Sequence, residues 1–351
     1  MRPSLPLLAA LLLLAACGRS ELLSAPVEDT VPGAAGVPGN VGGAAGASSV
    51  GGTGGKAEGP HLVVEFDLPT DVSQPRAIAA GPDGNLWFTE YGGDNIGRIT
   101  PAGKITEFPV PTKDSGPFGI AAGLDGNLWF AEVLGHNIGF ATVDGKVTEL
   151  ALDGAASLPK SLAIGPDGRL WFTGYEADGI GSVVDGTIRE LSCGFPGVWL
   201  GIVLGPDRNL WLTENQSDFV AKVPLDNTPS WYRLPNENSR PWGIAAGPDG
   251  NLWFTEYAGN RIGRISPAGA ISEFGIPTER SYPVSIVAGP DGNLWFTENN
   301  AGQIGRITPS GEIAEFPVLT THGDPAGITV GPDGNLWFTE EVGNKIGRIN
   351  P

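Results

Sequence analysis

The sequence is poor in sulfur, in histidine and in positive charge. Its 351 residues include 2 Cys, 1 Met and 3 His, and 21 Lys and Arg stand against 39 Asp and Glu, a formal net charge of −18. Two cysteines cannot staple a chain of this length, so disulfides do not hold the fold. An excess of carboxylates repels a phosphate backbone, which excludes nucleic acid as a partner. Long helices are excluded as the main element, because 54 Gly and 31 Pro run through the chain and both break helix interiors. Aromatic residues are plentiful instead, with 10 Trp and 14 Phe, and 40% of the chain is hydrophobic. With only 17% charged residues this is not a disordered acidic tail. The composition predicts a soluble, turn-rich β protein with a large core.

The first residues stand apart from that core. Met1-Arg2 is followed by an apolar run from Leu5 to Ala16, interrupted by Pro6 and too short to span a bilayer. It reads as an export signal. The run ends Leu14-Ala15-Ala16-Cys17, which resembles the lipobox of bacterial lipoproteins. That resemblance implies cleavage before Cys17 and lipid attachment to it, and Gly18 after the Cys points to the outer membrane or cell surface; a secretory signal cut near Ala16 is the alternative. Both readings place the protein outside the cytoplasm, with membrane contact through the lipid alone. If Cys17 is lipidated, Cys193 has no intramolecular partner. Residues 17–60 are mostly Gly, Ala, Val, Pro and Ser, too poor in apolar surface to offset their ordering entropy, and they read as a flexible tether. The expected division is 1–16 signal peptide, 17–60 tether and 61–351 folded domain.

Within the folded part the sequence repeats itself. Gly-Pro-Asp-Gly-Asn-Leu-Trp-Phe-Thr-Glu begins at Gly81 and recurs with variations at Gly123, Gly165, Gly205, Gly247, Gly289 and Gly331, in steps of 42, 42, 40, 42, 42 and 42 residues. Seven tryptophans fall in one slot of it, from Trp87 to Trp337. Each unit reads as four short strands, with Pro-Asp-Gly turning between the first two. Four strands in about 40–45 residues is the period of a propeller blade, and the WD dipeptide is absent. The seventh unit stops after its third strand, at Arg348-Ile349-Asn350-Pro351, while Leu62 to Pro69 matches a fourth strand. The expectation is therefore an all-β, seven-bladed β-propeller with four-stranded blades, its ring closed by an N-terminal strand that removes the exposed edge.

Strand direction puts the Pro-Asp-Gly turns on one face and the longer loops on the other. Binding residues concentrate on loops held by rigid elements, so the loop face is the candidate working end. The slot at the start of strand one varies from blade to blade: Arg76, Phe118, Lys160, Leu200, Trp242, Val284 and Ala326. Its members either read a ligand or simply line a solvated channel. The end of strand two carries Glu90, Glu132, Glu214, Glu256, Glu298 and Glu340, with Gly174 breaking the series. Six carboxylates around one mouth suit a cation. The alternative, preferred because the feature repeats, is that each satisfies a loop amide or pairs with a strand-three base such as Arg98 or Lys222. His136 and His322 sit in loops on this face and titrate near neutrality.

The repeated Gly-Pro-Asp-Gly-Asn-Leu-Trp-Phe-Thr-Glu, together with Asn344-Lys345-Ile346-Gly347-Arg348-Ile349, resembles the virginiamycin B lyase (streptogramin lyase) family over residues 62–351. The resemblance implies a seven-bladed propeller that opens a cyclic depsipeptide by metal-assisted elimination across its ester. The family's last blade begins Glu-Pro-His-Gly-Ile, whose Glu binds Mg²⁺ and whose His is the base; here the string is Asp324-Pro325-Ala326-Gly327-Ile328. The second metal carboxylate falls on Glu341, or on Glu340 if loop lengths differ, and a further family His falls on Val284. Two carboxylates survive and both histidines are gone. Two expectations result. One is an exported propeller that binds an unidentified small-molecule or protein ligand at its loop face, through Arg76, Phe118, Lys160, Trp242 and Val284. The other is a Mg²⁺-dependent carbon–oxygen lyase with Asp324 and Glu341 on the metal and His322 as its base.

Overall fold

The structure, a computed structural model, describes residues 61–152, 158–174, 179–192, 197–226 and 228–351. The export signal, Cys17, the tether over 17–60 and Cys193 lie outside the described residues.

The four-strand reading of each repeat holds in every unit. Twenty-eight strands form seven four-stranded antiparallel sheets, and no helix occurs among the described residues. Blade one runs Pro75–Ala80, Leu86–Glu90, Asn95–Ile99 and Ile105–Pro109, each strand paired to the next in sequence. Blade seven breaks that order. Its inner three strands are Pro325–Val330, Leu336–Glu340 and Lys345–Ile349, and its fourth is Val63–Asp67 from the start of the domain. The register runs from Val63 opposite Ile349 to Asp67 opposite Lys345. The closure expected from the sequence is present, and His61 just before it adds to it: its Nδ1 lies 2.8 Å from the Asn350 carbonyl and its ring packs 4.4 Å from Phe316.

The core lies between blades rather than within them. Trp87, Ile96 and Val110 of blade one pack against Ile120, Leu128 and Phe130 of blade two. Trp295 and Ile304 of blade six meet Ile328, Leu336 and Phe338 of blade seven in the same way. No blade buries its apolar faces alone, which is why the repeat works only as a closed set. Packing fixes local sequence too. A Cβ on Gly97 would lie 2.1 Å from the Phe88 ring that crosses it. Blade four makes the complementary exchange, with Ala221 opposite the smaller Leu212.

On the turn face one device recurs. The turn aspartate takes the indole N–H of the repeated Trp, as in Trp87 Nε1 to Asp83 Oδ1 at 3.1 Å, and it also accepts the backbone N–H of Asn85. The strand-three base leans over the same indole and bonds the next blade. Arg98 lies 5.4 Å from the Trp87 ring and donates to the Val143 carbonyl at 2.9 Å, and Arg348 donates to the Pro101 carbonyl at 3.1 Å across the closure. These bases therefore serve the turn face and do not pair with the strand-two glutamates.

Candidate functional site

Strand one of every blade enters with a bulge. In blade one Pro75 opposes Glu90 but Ile78 opposes Phe88, so one extra residue is accommodated around Arg76. The same shift occurs in all seven blades. A bulge re-aims the side chain it carries, and here it turns the variable slot toward the ring axis. All seven slot residues, from Arg76 to Ala326, line a cavity of about 160 Å³.

The slot is also held from the side. The strand-two threonine of one blade donates to the slot carbonyl of the next: Thr89 to Phe118 at 2.6 Å, Thr255 to Val284 at 2.8 Å, Thr297 to Ala326 at 2.8 Å. Thr339 completes the circle by donating to the Arg76 carbonyl at 2.8 Å. The same hydroxyl accepts a strand-one N–H of its own blade, as from Ala77 at 3.0 Å. Blade two has Ala131 in place of this Thr. The backbone beneath every variable side chain except Lys160, which follows blade two, is thus fixed by a recurring part of the repeat, as pre-organised sites require.

A second variable series was not singled out by sequence reasoning. The residue after the strand-two position varies among the described blades: Tyr91, Val133, Asn215, Tyr257, Asn299 and Glu341. The signal was available, since it varies beside an invariant neighbour as the strand-one slot does. Tyr257 stacks on Tyr282 at 4.9 Å and packs against Trp242 at 5.3 Å, which makes an aromatic wall at blades five and six.

The charged side of the mouth lies at blades one to three and seven. Arg76 Nη2 is 2.6 Å from a Glu341 carboxylate oxygen. The Arg76 guanidinium carbon lies 5.4 Å from the centroids of both Tyr91 and Phe118, and Lys160 Nζ lies 4.1 Å from the same Phe118 ring. Burial, with Arg76 as a charged neighbour, pulls the Lys160 ammonium down to about 8. Burial raises Glu341 despite the Arg76 charge, and Asp324 adds to that rise. Asp324 is itself raised by burial, against the opposing influence of His322.

The resemblance-derived residues fall as follows. Asp324 and Glu341 are neighbours, joined by the Glu341 N–H donating to the Asp324 carbonyl at 3.1 Å. Glu340 is instead fully buried and turned toward Glu65. His322 is exposed in the loop leading into blade seven and is not among the cavity's lining residues. Val284 and Ala326 do line it, so apolar groups stand where the resemblance looks for histidines. His136 occupies a left-handed position, φ 53°, shared by Asp94, Asn260 and Asn344 in other blades, which marks it as part of the repeat. As a resident Mg²⁺ site the Asp324–Glu341 pair fits poorly. Glu341 already holds a guanidinium, and among the described residues no group of three or more His, Cys, Asp or Glu gathers to hold a metal ion.

The six strand-two glutamates do not face the mouth. All are buried, with exposures of 0–1%, and Glu90, Glu132 and Glu214 serve their own loops. Asn95 donates to Glu90 at 3.0 Å, Asn137 to Glu132 at 3.0 Å, and the backbone N–H of Val198 to Glu214 at 3.0 Å. Burial pushes Glu90, Glu132, Glu298 and Glu340 up to about 8 and Glu256 to about 7. A strand-four carboxylate lies close to each of these five, Glu107 for Glu90 and Glu315 for Glu298, and adds to the rise. That second carboxylate anchors the loop leading into its blade, as in Thr70 N–H to Glu107 at 3.0 Å. In blade seven this role passes to Glu65 of the closing strand, which accepts from the Thr320 backbone at 2.9 Å and hydroxyl at 2.6 Å. The loop so held carries His322 and Asp324.

A seven-bladed ring of four-stranded blades with its varied side chains gathered at one axial mouth defines the class of the fold, a β-propeller. The sequence matches the Virginiamycin B lyase family over residues 46–197 and 196–351, and the chain belongs to that family. A streptogramin B lyase structure superposes with a TM-score of 0.79 at 39% identity, covering 83% of this chain and 97% of that one. Virginiamycin B lyase from Staphylococcus aureus gives 0.79 at 36% identity, over 83% of this chain and 100% of its own. A catalytically inactive His-to-Ala variant of the latter, determined with quinupristin, matches equally well. The WD40 propeller of Doa1, at 10% identity and a TM-score of 0.68, shares the fold alone.

Proposed function

We propose that this chain is an exported, lipid-anchored member of the virginiamycin B lyase family that binds a ligand at its loop-face mouth without the family's elimination chemistry. The observation that carries this is the pair Val284 and Ala326 in the cavity wall, where the family's histidines would fall. Taking a proton from carbon needs a positioned base, typically a factor of 10²–10⁴ in rate, and neither side chain can accept one. The ion pair between Arg76 and Glu341 supports the same reading, because it engages a carboxylate that a metal would need.

A lyase reading has its own support in the 36–39% identity to streptogramin-opening relatives and in the electrostatic contact of His322 with Asp324 beside Glu341. The two are separated by incubating the protein with a streptogramin B, with and without Mg²⁺, and following ester opening by mass spectrometry. The expected result is no ester-opened product, and none in Val284→His with Ala326→His, since a base without a positioned substrate contributes little. Metal-dependent turnover by the wild type that survives His322→Ala defeats the binding reading and the choice of His322 together. The anchor is tested separately. Lipid should be found on Cys17 and lost in Cys17→Ser, and an unmodified residue 17 at the wild-type N-terminus overturns it.

A further inference from the structure

The mouth is chemically lopsided in a way that the binding reading alone does not use. Two cations, Arg76 of blade one and Lys160 of blade three, converge on the single ring of Phe118 between them, at 5.4 and 4.1 Å. Bringing like charges together in a partly desolvated cleft is unfavourable for both. Arg76 spends one edge of its guanidinium on Glu341, while its Nε–H is buried with no acceptor. The guanidinium lies 5.4 Å from both Tyr91 and Phe118, whose rings stand nearly perpendicular to each other, so aromatic faces flank it while its N–H groups remain donors for oxygen acceptors. Across the cavity the lining turns apolar, with Leu200, Trp242 and Val284, and Tyr257 backing Trp242. The two sides are close enough that Tyr257, above its ordinary value chiefly through burial and the nearby Tyr282, also feels Glu341 and Arg76.

Resting on the reading of this mouth as a binding site, we propose that its ligand is an aromatic anion: Arg76 and Lys160 receive the carboxylate or phosphate oxygens, and Trp242 with Leu200 receives the ring. An anion between the two cations replaces their repulsion by two charge-assisted hydrogen bonds, which are about twice as strong as neutral ones. The planar body then covers the apolar wall, where aromatic contact adds to area burial. The cavity, at about 160 Å³, has room for a single ring and its substituent.

The test uses phenylacetate, phenyl phosphate and benzyl alcohol as probes, titrated calorimetrically into the purified domain at pH 7. Both anions should bind about tenfold or more tightly than the neutral alcohol, the value of one charge-assisted bond. Lys160→Met should erase that preference while leaving benzyl alcohol binding intact. Lys160→Arg should retain it and carry it unweakened to pH 9.5, where wild-type affinity for the anions has fallen because its ammonium titrates near 8. A stronger response to phenyl phosphate or to phenylacetate assigns the anion as a phosphoester or a carboxylate. Equal binding of all three probes, binding of none, or a Lys160→Met protein that keeps the preference overturns the proposal. Streptogramin turnover is a separate readout, so the failure of this inference and that of the binding reading are told apart.

Discussion

The two faces of the ring are built from the same forty-two residues and have opposite characters. On the turn face each blade repeats one solution: an aspartate takes the indole of the buried Trp, and in most blades a strand-three Arg or Lys ties that blade to its neighbour. On the loop face the backbone repeats, through the bulge and the threonine bond, but the side chains do not. The difference shows where the repeat is constrained by packing and where it is free to vary. Turn-face groups close the inter-blade core, so any change there opens it. Loop-face slots point into a cavity, where size and charge alter what can enter more than whether the ring stands.

That contrast can be broken in order of effect. Deleting 61–69 removes the fourth strand of blade seven and should cost more stability than any point substitution, with aggregation through the uncovered edge visible by light scattering. Trp253→Ala, at a fully buried turn-face Trp, should lower unfolding free energy by about 3–5 kcal/mol in denaturant titrations. Asp249→Ala, which leaves that indole N–H without its 3.0 Å partner, should cost about 1–3 kcal/mol.

The faces should also separate by pH. Glu90, Glu132, Glu298 and Glu340 lie above their ordinary value of 4.5, up to about 8, so the folded state holds protons that the unfolded chain has released. Their contribution is therefore lost as pH rises from about 4.5 to 8. For the turn aspartates Asp83 and Asp249 burial works upward, but the bonds from Asn and Trp outweigh it and hold them below 3.8, so their contribution is lost only on strong acidification. Melting temperature should fall from pH 5 to 8.5. Glu298→Gln, at a site where neither carboxylate oxygen has a partner, should flatten that slope by about 1–2 kcal/mol at pH 8.5. The smallest effect belongs to the loop face: Val284→Ala should shift stability by less than about 1 kcal/mol. A larger loss would show that the mouth is part of the core after all.

The fold was legible because periodicity is a packing signal: one Trp every blade, a Gly wherever a Phe crosses, a turn Asp at fixed offset. Closure was legible because residues 62–69 copy a fourth strand. The slot was readable as a contrast, seven different residues in an otherwise uniform motif. What could not be read were pairings made only by the ring's curvature. Arg76 and Glu341 are far apart in sequence and meet because blades one and seven are neighbours. In sequence Arg98 looks like a partner for Glu90, yet the register sets it opposite Trp87 and leaves Asn95 opposite Glu90, so the base works at the turn-face end of the strand. The aromatic wall escaped because Tyr257 and Tyr282 belong to different blades.

The handover from strand-four carboxylate to Glu65 makes the mouth the last part of the molecule to be finished. Glu65 and Thr320 are 255 positions apart, so the loop bearing Asp324 gains its anchor only when the whole circle has been threaded. A truncated or clipped chain has blades but no completed mouth. A ligand held there as proposed would therefore report that the ring is whole and, by mass action, act as a bolt across the seam.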